Sequence, residues 1–191
     1  MSINWGIIGC GDVVRKRVAQ AIQSDRNSNL VAVCRRNEEA LLAFQQQTGA
    51  AAAYTNSHDL IGNSDIDAVY IATPINCHLP QTIAAAKAGK HVLVEKPMAM
   101  TTSECDQMIA ACRDHGVKLG VAYYRRFYPV VDRMKDLIAE GAIGEVMSVN
   151  VVTGNPFAVE PDQDGYWRVI PSAGGGGALM DIGSHRINLM L

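Results

Sequence analysis

Two side chains near the end of the chain are spaced for acid and base chemistry. Asp181 and His185 lie four residues apart in a helical pattern, so both should project from one face of a helix. A neutral imidazole can take a hydroxyl proton, and a carboxylate near the positive end of a helix dipole stays ionised and orients its neighbours. The same spacing suits two metal ligands or a merely polar helix face, but no third ligand is evident. We therefore expect a proton-transfer pair and no metal site.

A glycine turn near the start of the chain has the spacing of a phosphate-binding loop. Gly9 and Gly11 follow a strand pattern and precede a helical one, the context in which G-x-G indicates a dinucleotide site. Gly9 permits a tight turn and Gly11 the close approach of a pyrophosphate, which the N–H groups of the helix starting at Asp12 and Val13 would face. Val14 replaces the usual third glycine, which weakens the motif. The alternative is a simple strand-to-helix turn.

The end of the second strand pattern indicates which dinucleotide is bound. Residues 30–37 read LVAVCRRN and contain no acid to accept the hydroxyls of an adenosine ribose. Arg35 and Arg36 stand there instead, and guanidinium groups suit a 2′-phosphate. The sequence therefore predicts NADP, with NAD as the second choice. The alternative is a pair of solvated surface arginines at a helix start.

Alternating strand and helix patterns position these groups. Helical patterns separate the strand-like runs INWGIIG, LVAVC, DAVYIAT, HVLVE and VKLGVAY, and they cover residues 12–24, 37–48, 75–88 and 101–115. Several runs are apolar at consecutive positions, which is typical of strands covered by helices on both faces. We predict an α/β fold with a doubly wound, parallel Rossmann sheet over residues 1–121.

The character of the sequence changes after residue 121. The segment YYRRFYP leads into a helical pattern at 129–140, a strand pattern at 145–154 and a helical pattern that reaches the last residue without a C-cap. So few elements bury little apolar surface, and the strand would remain an edge that needs a partner. We expect residues 122–191 to be the beginning of an incomplete α+β substrate and oligomerisation domain.

Composition excludes several classes of protein. A formal charge of -2 and a pI near 6.2 provide no basic field for nucleic acid. No apolar run reaches the roughly 18 to 20 residues of a membrane span, and the start lacks the features of a signal peptide, so we expect a cytoplasmic protein. The five cysteines are an odd number without C-x-x-C spacing, which favours reduced thiols that serve as small apolar groups.

Several motifs in one order resemble the Gfo/Idh/MocA oxidoreductases. The resemblance extends over nearly the whole chain and is carried by Gly9–Asp12, Ala72–His78, Glu95–Pro97, Tyr124–Phe127, Gly175–Gly177 and Asp181–His185. It implies an NAD(P)-dependent dehydrogenase or reductase that acts on a CH–OH group of a sugar, polyol or related compound. It also implies a homo-oligomer formed through the C-terminal sheet of a longer form.

The resemblance implies roles for residues that follow two further strands. One loop would line the nicotinamide half of the cofactor with Thr73, Pro74, Asn76 and His78. Asn76 and His78 could instead cap the next helix. Glu95 would hold the nicotinamide ribose or amide, and Lys96 would meet the reacting oxygen unless it is an ordinary surface amine. The resemblance further implies a cis peptide between Lys96 and Pro97.

In the second domain the resemblance makes His185 the general base in oxidation and the general acid in reduction. The family often has an acid three residues later, where this chain has Asn188. Weaker motif matches, which packing or ion pairs would equally explain, are Tyr124, Arg125, Arg126, Trp167 and Arg168. The rival hypothesis is a non-catalytic NAD(P)-binding regulator, or an inactive fragment that lacks the sheet of the substrate domain.

Overall fold

The chain forms two compact units, Met1–Ala122 and Tyr123–Leu191. A computed structural model describes residues 2–154, 156, 158–163 and 165–191. The sequence placed the domain boundary between residues 121 and 122, one residue earlier than the division between these units. Each unit is described by itself.

The first unit contains a six-stranded parallel sheet. Its strands are β1 (Ile3–Ile8), β2 (Ser28–Cys34), β3 (Ala52–Tyr54), β4 (Ala68–Ile71), β5 (His91–Val94) and β6 (Leu119–Val121). They lie in the order β3-β2-β1-β4-β5-β6, and every pair is parallel. The direction of winding reverses between β1 and β4, the place where open α/β sheets bind ligands. The predicted α/β class and doubly wound parallel sheet are confirmed.

Helices connect the strands of this unit. The first helical segment covers residues 12–24 and consists of a π-helical turn at Val14–Val18 followed by helix α1 (Ala19–Ser24). The other helices of this unit are α2 (Glu38–Thr48), α3 (Ser57–Ile61), α4 (His78–Lys87) and α5 (Thr102–Asp114). The Asn37 side chain accepts a hydrogen bond from Ala40 N at 2.8 Å, and Thr101 accepts one from Glu104 N at 3.2 Å. These caps fix the starts of α2 and α5 where the sequence predicted them.

Strand β3 and helix α3 were missed by the sequence patterns. The strand has only three residues, two of them alanine, a residue with little preference for strands. It forms because β2 presents an edge to it, along which Ala32, Val33 and Cys34 pair with Ala52, Ala53 and Tyr54. Tertiary pairing therefore decides the conformation of this segment.

Both faces of the sheet are buried. Neighbouring residues of one strand enter opposite apolar clusters, as Ile7 and Ile8 do in β1 with exposures of 0% and 1%. Tyr70 and Ile71 of β4 divide in the same way. This explains why the strands read as consecutive apolar residues rather than as an alternation.

All five cysteines are free thiols, as predicted, and three of them are buried: Cys10, Cys34 and Cys112. Burial raises the pKa of Cys10 to about 12 and that of Cys34 to about 11. Both thiols therefore stay neutral at physiological pH and act as small apolar groups.

The regular secondary structure in the described part of the second unit is helical. It contains 3-10 turns at Tyr124–Phe127 and Tyr166–Val169, helix α6 (Pro129–Ala139), α7 (Pro171–Gly174), and a π-helical turn at Leu179–Gly183 that continues into α8 (Ser184–Met190). The predicted helices at 129–140 and near the end of the chain are confirmed.

The predicted strand at 145–154 is wrong. These residues are in neither a helix nor a strand, and Val149 and Val152 are 62% and 90% exposed. The described part of the second unit contains no other strand, so the segment has no ladder to join. A sequence pattern with one apolar and one polar face does not by itself provide the hydrogen-bond partners that the backbone of a strand needs. Over the described residues of both units, no helix is long and apolar enough to cross a membrane.

Candidate functional site

The carboxyl ends of four strands meet at one edge of the sheet. Backbone hydrogen bonds extend the ladder one residue past these ends, from Gly9 N to Cys34 O at 2.9 Å, from Ala72 N to Ile8 O at 2.7 Å and from Glu95 N to Ile71 O at 2.8 Å. The loops that carry most of the predicted cofactor residues therefore begin side by side on a rigid support.

The glycine turn contains one glycine that the fold requires and one that it does not. Gly9 has a φ of +95°, and a Cβ there would lie 2.6 Å from Ala72 O. Gly11 is exposed, and a Cβ there would meet no heavy atom within 4 Å. The positive φ and the close backbone contact in the turn explain why residue 9 is a glycine. The open space in front of Gly11 fits a ligand that approaches the backbone at the start of a helix.

Asp12 does not stand alone at the start of this helix. Its carboxylate pairs with Arg15 and, at 2.9 Å, with the Lys16 Nζ. The hydrogen bonds from Lys16 and Arg15 lower the pKa of this exposed carboxyl group. The sequence patterns did not reveal these two cations, although Arg15 and Lys16 lie three and four residues after Asp12, within reach along a helix. Val13 is half-buried beside the turn.

The two arginines after β2 have different surroundings. Arg35 is half-buried, and its Nη1 donates a hydrogen bond to Cys10 O at 3.1 Å. Its guanidinium group therefore lies against the glycine turn. Arg36 is exposed. The alternative of a solvated pair fits Arg36 and does not fit Arg35.

The loop after β4 is held by a contact that the sequence did not reveal. The Thr73 hydroxyl donates a hydrogen bond to the Gln81 Oε1 at 2.6 Å, which connects the loop to helix α4. Pro74 is half-buried, and Asn76 is exposed in the 3-10 turn Ile75–Cys77. The 3-10 turn and helix α4 begin without a side-chain hydrogen bond from their N-cap residues, Pro74 and Cys77.

His78 lies beneath this loop rather than on its surface. The ring is 1% exposed, with Nε2 2.9 Å from Thr73 O and Nδ1 3.1 Å from Pro97 O and 3.2 Å from Met98 O. The ring thus joins the loop after β4 to the segment after β5. Its nitrogens face backbone carbonyls, so the ring braces these two segments, and the cofactor contact that the sequence predicted for this side chain stays a prediction.

The burial of His78 makes stability depend on pH. Burial lowers the pKa of this imidazole below its ordinary value of 6.5, and the carbonyl contacts offset only part of that effect. Below about pH 6.5 the unfolded chain binds a proton here that the folded chain resists, so the free energy of unfolding falls as the pH falls. The contribution is fully present above that pH.

We expect the variant His78→Gln to show a weaker loss of stability than the unchanged protein between about pH 7 and about pH 5. Urea unfolding at several pH values measures this slope. His115→Gln is the matched control, since His115 is exposed and its stability curve should parallel that of the unchanged protein. A His78→Gln curve that is also parallel would show that His78 does not titrate differently in the folded state.

Glu95 and Lys96 follow β5 directly. Glu95 is 8% exposed, and its carboxylate accepts hydrogen bonds from the Tyr70 hydroxyl at 2.6 Å and from Lys96 N at 3.1 Å. Lys96 is half-buried, and the peptide between Lys96 and Pro97 is cis, as the resemblance implied. Tyr70 was missed, but its register opposite Leu93 puts it on the same face as residue 95, two positions later.

In the second unit, Asp181 and His185 have different surroundings. His185 is 5% exposed, and its ring makes edge contacts with Tyr123 and Tyr124, at centroid distances of 5.8 and 5.2 Å. Asp181 is partly exposed in the π-helical turn, with its Oδ2 3.8 Å from the Arg168 Nε. That they act on one target stays a prediction.

The weaker motif residues of this unit are in packing and ionic contacts. Arg168 lies over the Trp167 ring at 5.0 Å from its centroid, and Tyr124 contacts both His185 and Tyr128. Arg125 and Asn188 are half-buried, and Arg126 is exposed. Within the described ranges, no group of three or more His, Cys, Asp or Glu side chains is placed to hold a metal ion.

Both units match models of one protein family. Residues 3–123 match the model described as an oxidoreductase family with an NAD-binding Rossmann fold, and residues 131–191 match the GFO/IDH/MocA C-terminal domain.

Individual relatives agree with these matches. The chain is 41% identical to Oxidoreductase P35 of Formosa agariphila over 98% of its length and 59% of that protein's. It is 36% identical to the 1,5-anhydro-D-fructose reductase of Ensifer adhaerens, covering 95% of this chain and 53% of that one. The solved aldose-aldose oxidoreductase of Caulobacter crescentus, complexed with glycerol, is 32% identical with a TM-score of 0.85, covering 100% of this chain and 57% of that one.

The chain thus spans between 53% and 59% of the length of these relatives. Its first unit matches the N-terminal model of the family and its second unit the C-terminal model, in that order along the sequence. The chain belongs to the GFO/IDH/MocA family of oxidoreductases.

Proposed function

We propose that this protein transfers a hydride between NADP and a CH–OH or carbonyl carbon of a sugar or polyol. The observation that carries the proposal is the glycine turn, where the space before Gly11 is open although the fold does not require a glycine there. That space lies at the edge of the sheet where its winding reverses. A bound nicotinamide dinucleotide supplies the hydride acceptor or donor that side chains lack.

The residues of the first unit suit the parts of such a cofactor. Gly9, Gly11, Asp12 and Val13 form the turn and helix start that would face the pyrophosphate, and Arg35 and Arg36 would face the 2′-phosphate. Thr73, Pro74, Asn76 and Glu95 would hold the nicotinamide half. His78 fixes the position of this loop through its contacts with three backbone carbonyls.

The proposed chemistry uses three further side chains. The Lys96 ammonium group donates a hydrogen bond to the substrate oxygen and stabilises the negative charge that develops there. His185 takes the hydroxyl proton in oxidation and returns it in reduction. Asp181 lies beside Arg168 and would orient the groups around it.

The names of the relatives support the class of substrate. A 1,5-anhydro-D-fructose reductase and an aldose-aldose oxidoreductase crystallised with glycerol both handle polyhydroxylated compounds. A second candidate is a protein that binds the dinucleotide without turnover, favoured by the unpaired, exposed segment 145–154. Dinucleotide binding without any hydride transfer to sugars or polyols would select that candidate.

The cofactor preference is tested by titration. We expect the chain to bind NADPH about 10-fold or more tightly than NADH, because two guanidinium groups stand where an acid would bind a ribose. Arg36→Asp should reduce this ratio towards one, and cofactor fluorescence reports both affinities. Because Arg35 also contacts Cys10 O, Arg35→Asp should weaken the binding of both cofactors in addition to changing the ratio.

Arg113→Asp is the matched control for the change of charge. Arg113 lies on α5 with its side chain 74% exposed, and its replacement should leave the ratio unchanged. Equal affinity of the unchanged chain for NADPH and NADH, or a ratio that survives both Arg35→Asp and Arg36→Asp, would reject the assignment of these arginines.

A further inference from the structure

A buried tyrosine contacts the carboxylate that follows β5. Tyr70 is 5% exposed, and its hydroxyl donates a hydrogen bond to the Glu95 Oε1 at 2.6 Å. The two residues are far apart in sequence but lie on adjacent strands, where Tyr70 is in register with Leu93. Neither the family resemblance nor the sequence pattern assigned a role to Tyr70.

The contact fixes one oxygen of a carboxylate whose other oxygen is also held. The Glu95 Oε2 accepts a hydrogen bond from Lys96 N at 3.1 Å. A carboxylate oxygen has two lone pairs, so each oxygen can still accept a further hydrogen bond from a ligand. The side chain has several rotatable bonds, and two donors from different strand ends restrict it to one orientation.

We propose that Tyr70 is a positioning residue that orients Glu95 to accept hydrogen bonds from the nicotinamide half of the cofactor, from its carboxamide N–H or its ribose hydroxyls. The inference rests on the proposed function, since it needs a nicotinamide dinucleotide as the ligand. Without the Tyr70 hydroxyl, Glu95 must lose side-chain freedom when the ligand binds, and the affinity for that half of the cofactor decreases.

The variant Tyr70→Phe removes only the hydroxyl and retains the buried ring. We expect the dissociation constant of the 191-residue chain for NADPH to rise about 10-fold. The affinity for adenosine 2′,5′-bisphosphate, which has no nicotinamide half, should stay within about 2-fold of the unchanged chain. Cofactor fluorescence measures the first constant, and calorimetric titration measures the second.

Tyr54→Phe is the matched control. The Tyr54 hydroxyl accepts a hydrogen bond from the Asn63 Nδ2 at 3.2 Å, so this variant also removes a bonded hydroxyl from the same unit. It should leave the ratio of the two affinities unchanged. A loss of packing alone would lower the thermal midpoint of either variant without changing this ratio.

A double-mutant cycle tests whether Tyr70 acts through Glu95. With Glu95→Ala as the background, adding Tyr70→Phe should weaken NADPH binding by less than about 2-fold, because the carboxylate that the hydroxyl orients is absent. A full additional 10-fold loss in that background would overturn the inference. So would a Tyr70→Phe chain that does not fold, since the hydroxyl would then be a determinant of the fold.

The outcomes separate this inference from the proposed function. If the unchanged chain binds neither NADPH, NADH nor the bisphosphate, the proposed function itself fails. If it binds them and Tyr70→Phe has the same ratio of affinities as the unchanged chain, only the role of Tyr70 is rejected.

Discussion

In whatever form of the protein is active, replacing Lys96 with alanine is expected to lower kcat by about 100-fold or more while changing the affinity for NADPH only a few-fold. The ammonium group follows β5 and is proposed to contact the substrate oxygen, whereas most of the affinity for the dinucleotide is proposed to come from the glycine turn and the arginines after β2. His185→Ala should have the same effect on kcat, because the proton of the substrate hydroxyl would lose its acceptor. Steady-state kinetics with a sugar or polyol, together with cofactor titration, separates turnover from binding.

The control for this result is Lys87→Ala, which removes an exposed lysine from the last turn of α4. Its kcat should equal that of the unchanged protein. If His185→Ala kept near-normal turnover from about pH 6 to about pH 9, another group would be the general base, and Asp181 and His185 would be a polar helix face. A kcat of Lys96→Ala within a few-fold of the unchanged value would likewise remove Lys96 from the chemistry.

Replacing Gly9 with alanine is expected to destabilise the first unit by about 2 to 5 kcal/mol. The residue has a φ of +95°, and the new Cβ would lie 2.6 Å from Ala72 O and 2.9 Å from Thr73 N, both of them backbone atoms. Such neighbours cannot move without disturbing the pairing of β1 with β4. Urea unfolding measures the free energy of unfolding, and a Gly9→Ala chain as stable as the unchanged one would contradict the described turn.

Gly11→Ala is the complementary variant. Its Cβ meets nothing within 4 Å, so the free energy of unfolding should change by less than about 1 kcal/mol. The affinity for NADPH should nevertheless fall by about 10-fold or more, because the methyl group would occupy the approach of the pyrophosphate. Unchanged affinity in Gly11→Ala would place the phosphates elsewhere.

Local chemistry explains which parts of the structure were predictable. The glycine turn and the starts and ends of the helices depend on residues within a few positions of one another. The burial of both faces of the sheet was also predictable from the sequence, because the strands are apolar at consecutive positions. These features were confirmed at nearly the predicted boundaries.

Contacts between distant segments explain what was not predictable. His78 faces Pro97 O and Met98 O, about twenty residues away, so no local pattern distinguishes it from a ligand-binding histidine. The contact between Tyr70 and Glu95 depends on strand register, which only the order of the sheet determines. The segment 145–154 has the pattern of a strand, but the described residues of the second unit include no strand with which it could pair, so the pattern alone was misleading there.

The central position of β1 in the sheet has a consequence for the order of events during synthesis. Although the glycine turn is synthesised before β2 and β4, its shape depends on Cys34 O, which accepts a hydrogen bond from Gly9 N, and on the backbone of Ala72 and Thr73, which lies against it. A nascent chain therefore cannot complete the turn until β4 and the residues after it have left the ribosome. Until then the apolar first strand lacks one of its two neighbours and is a segment that a chaperone could bind.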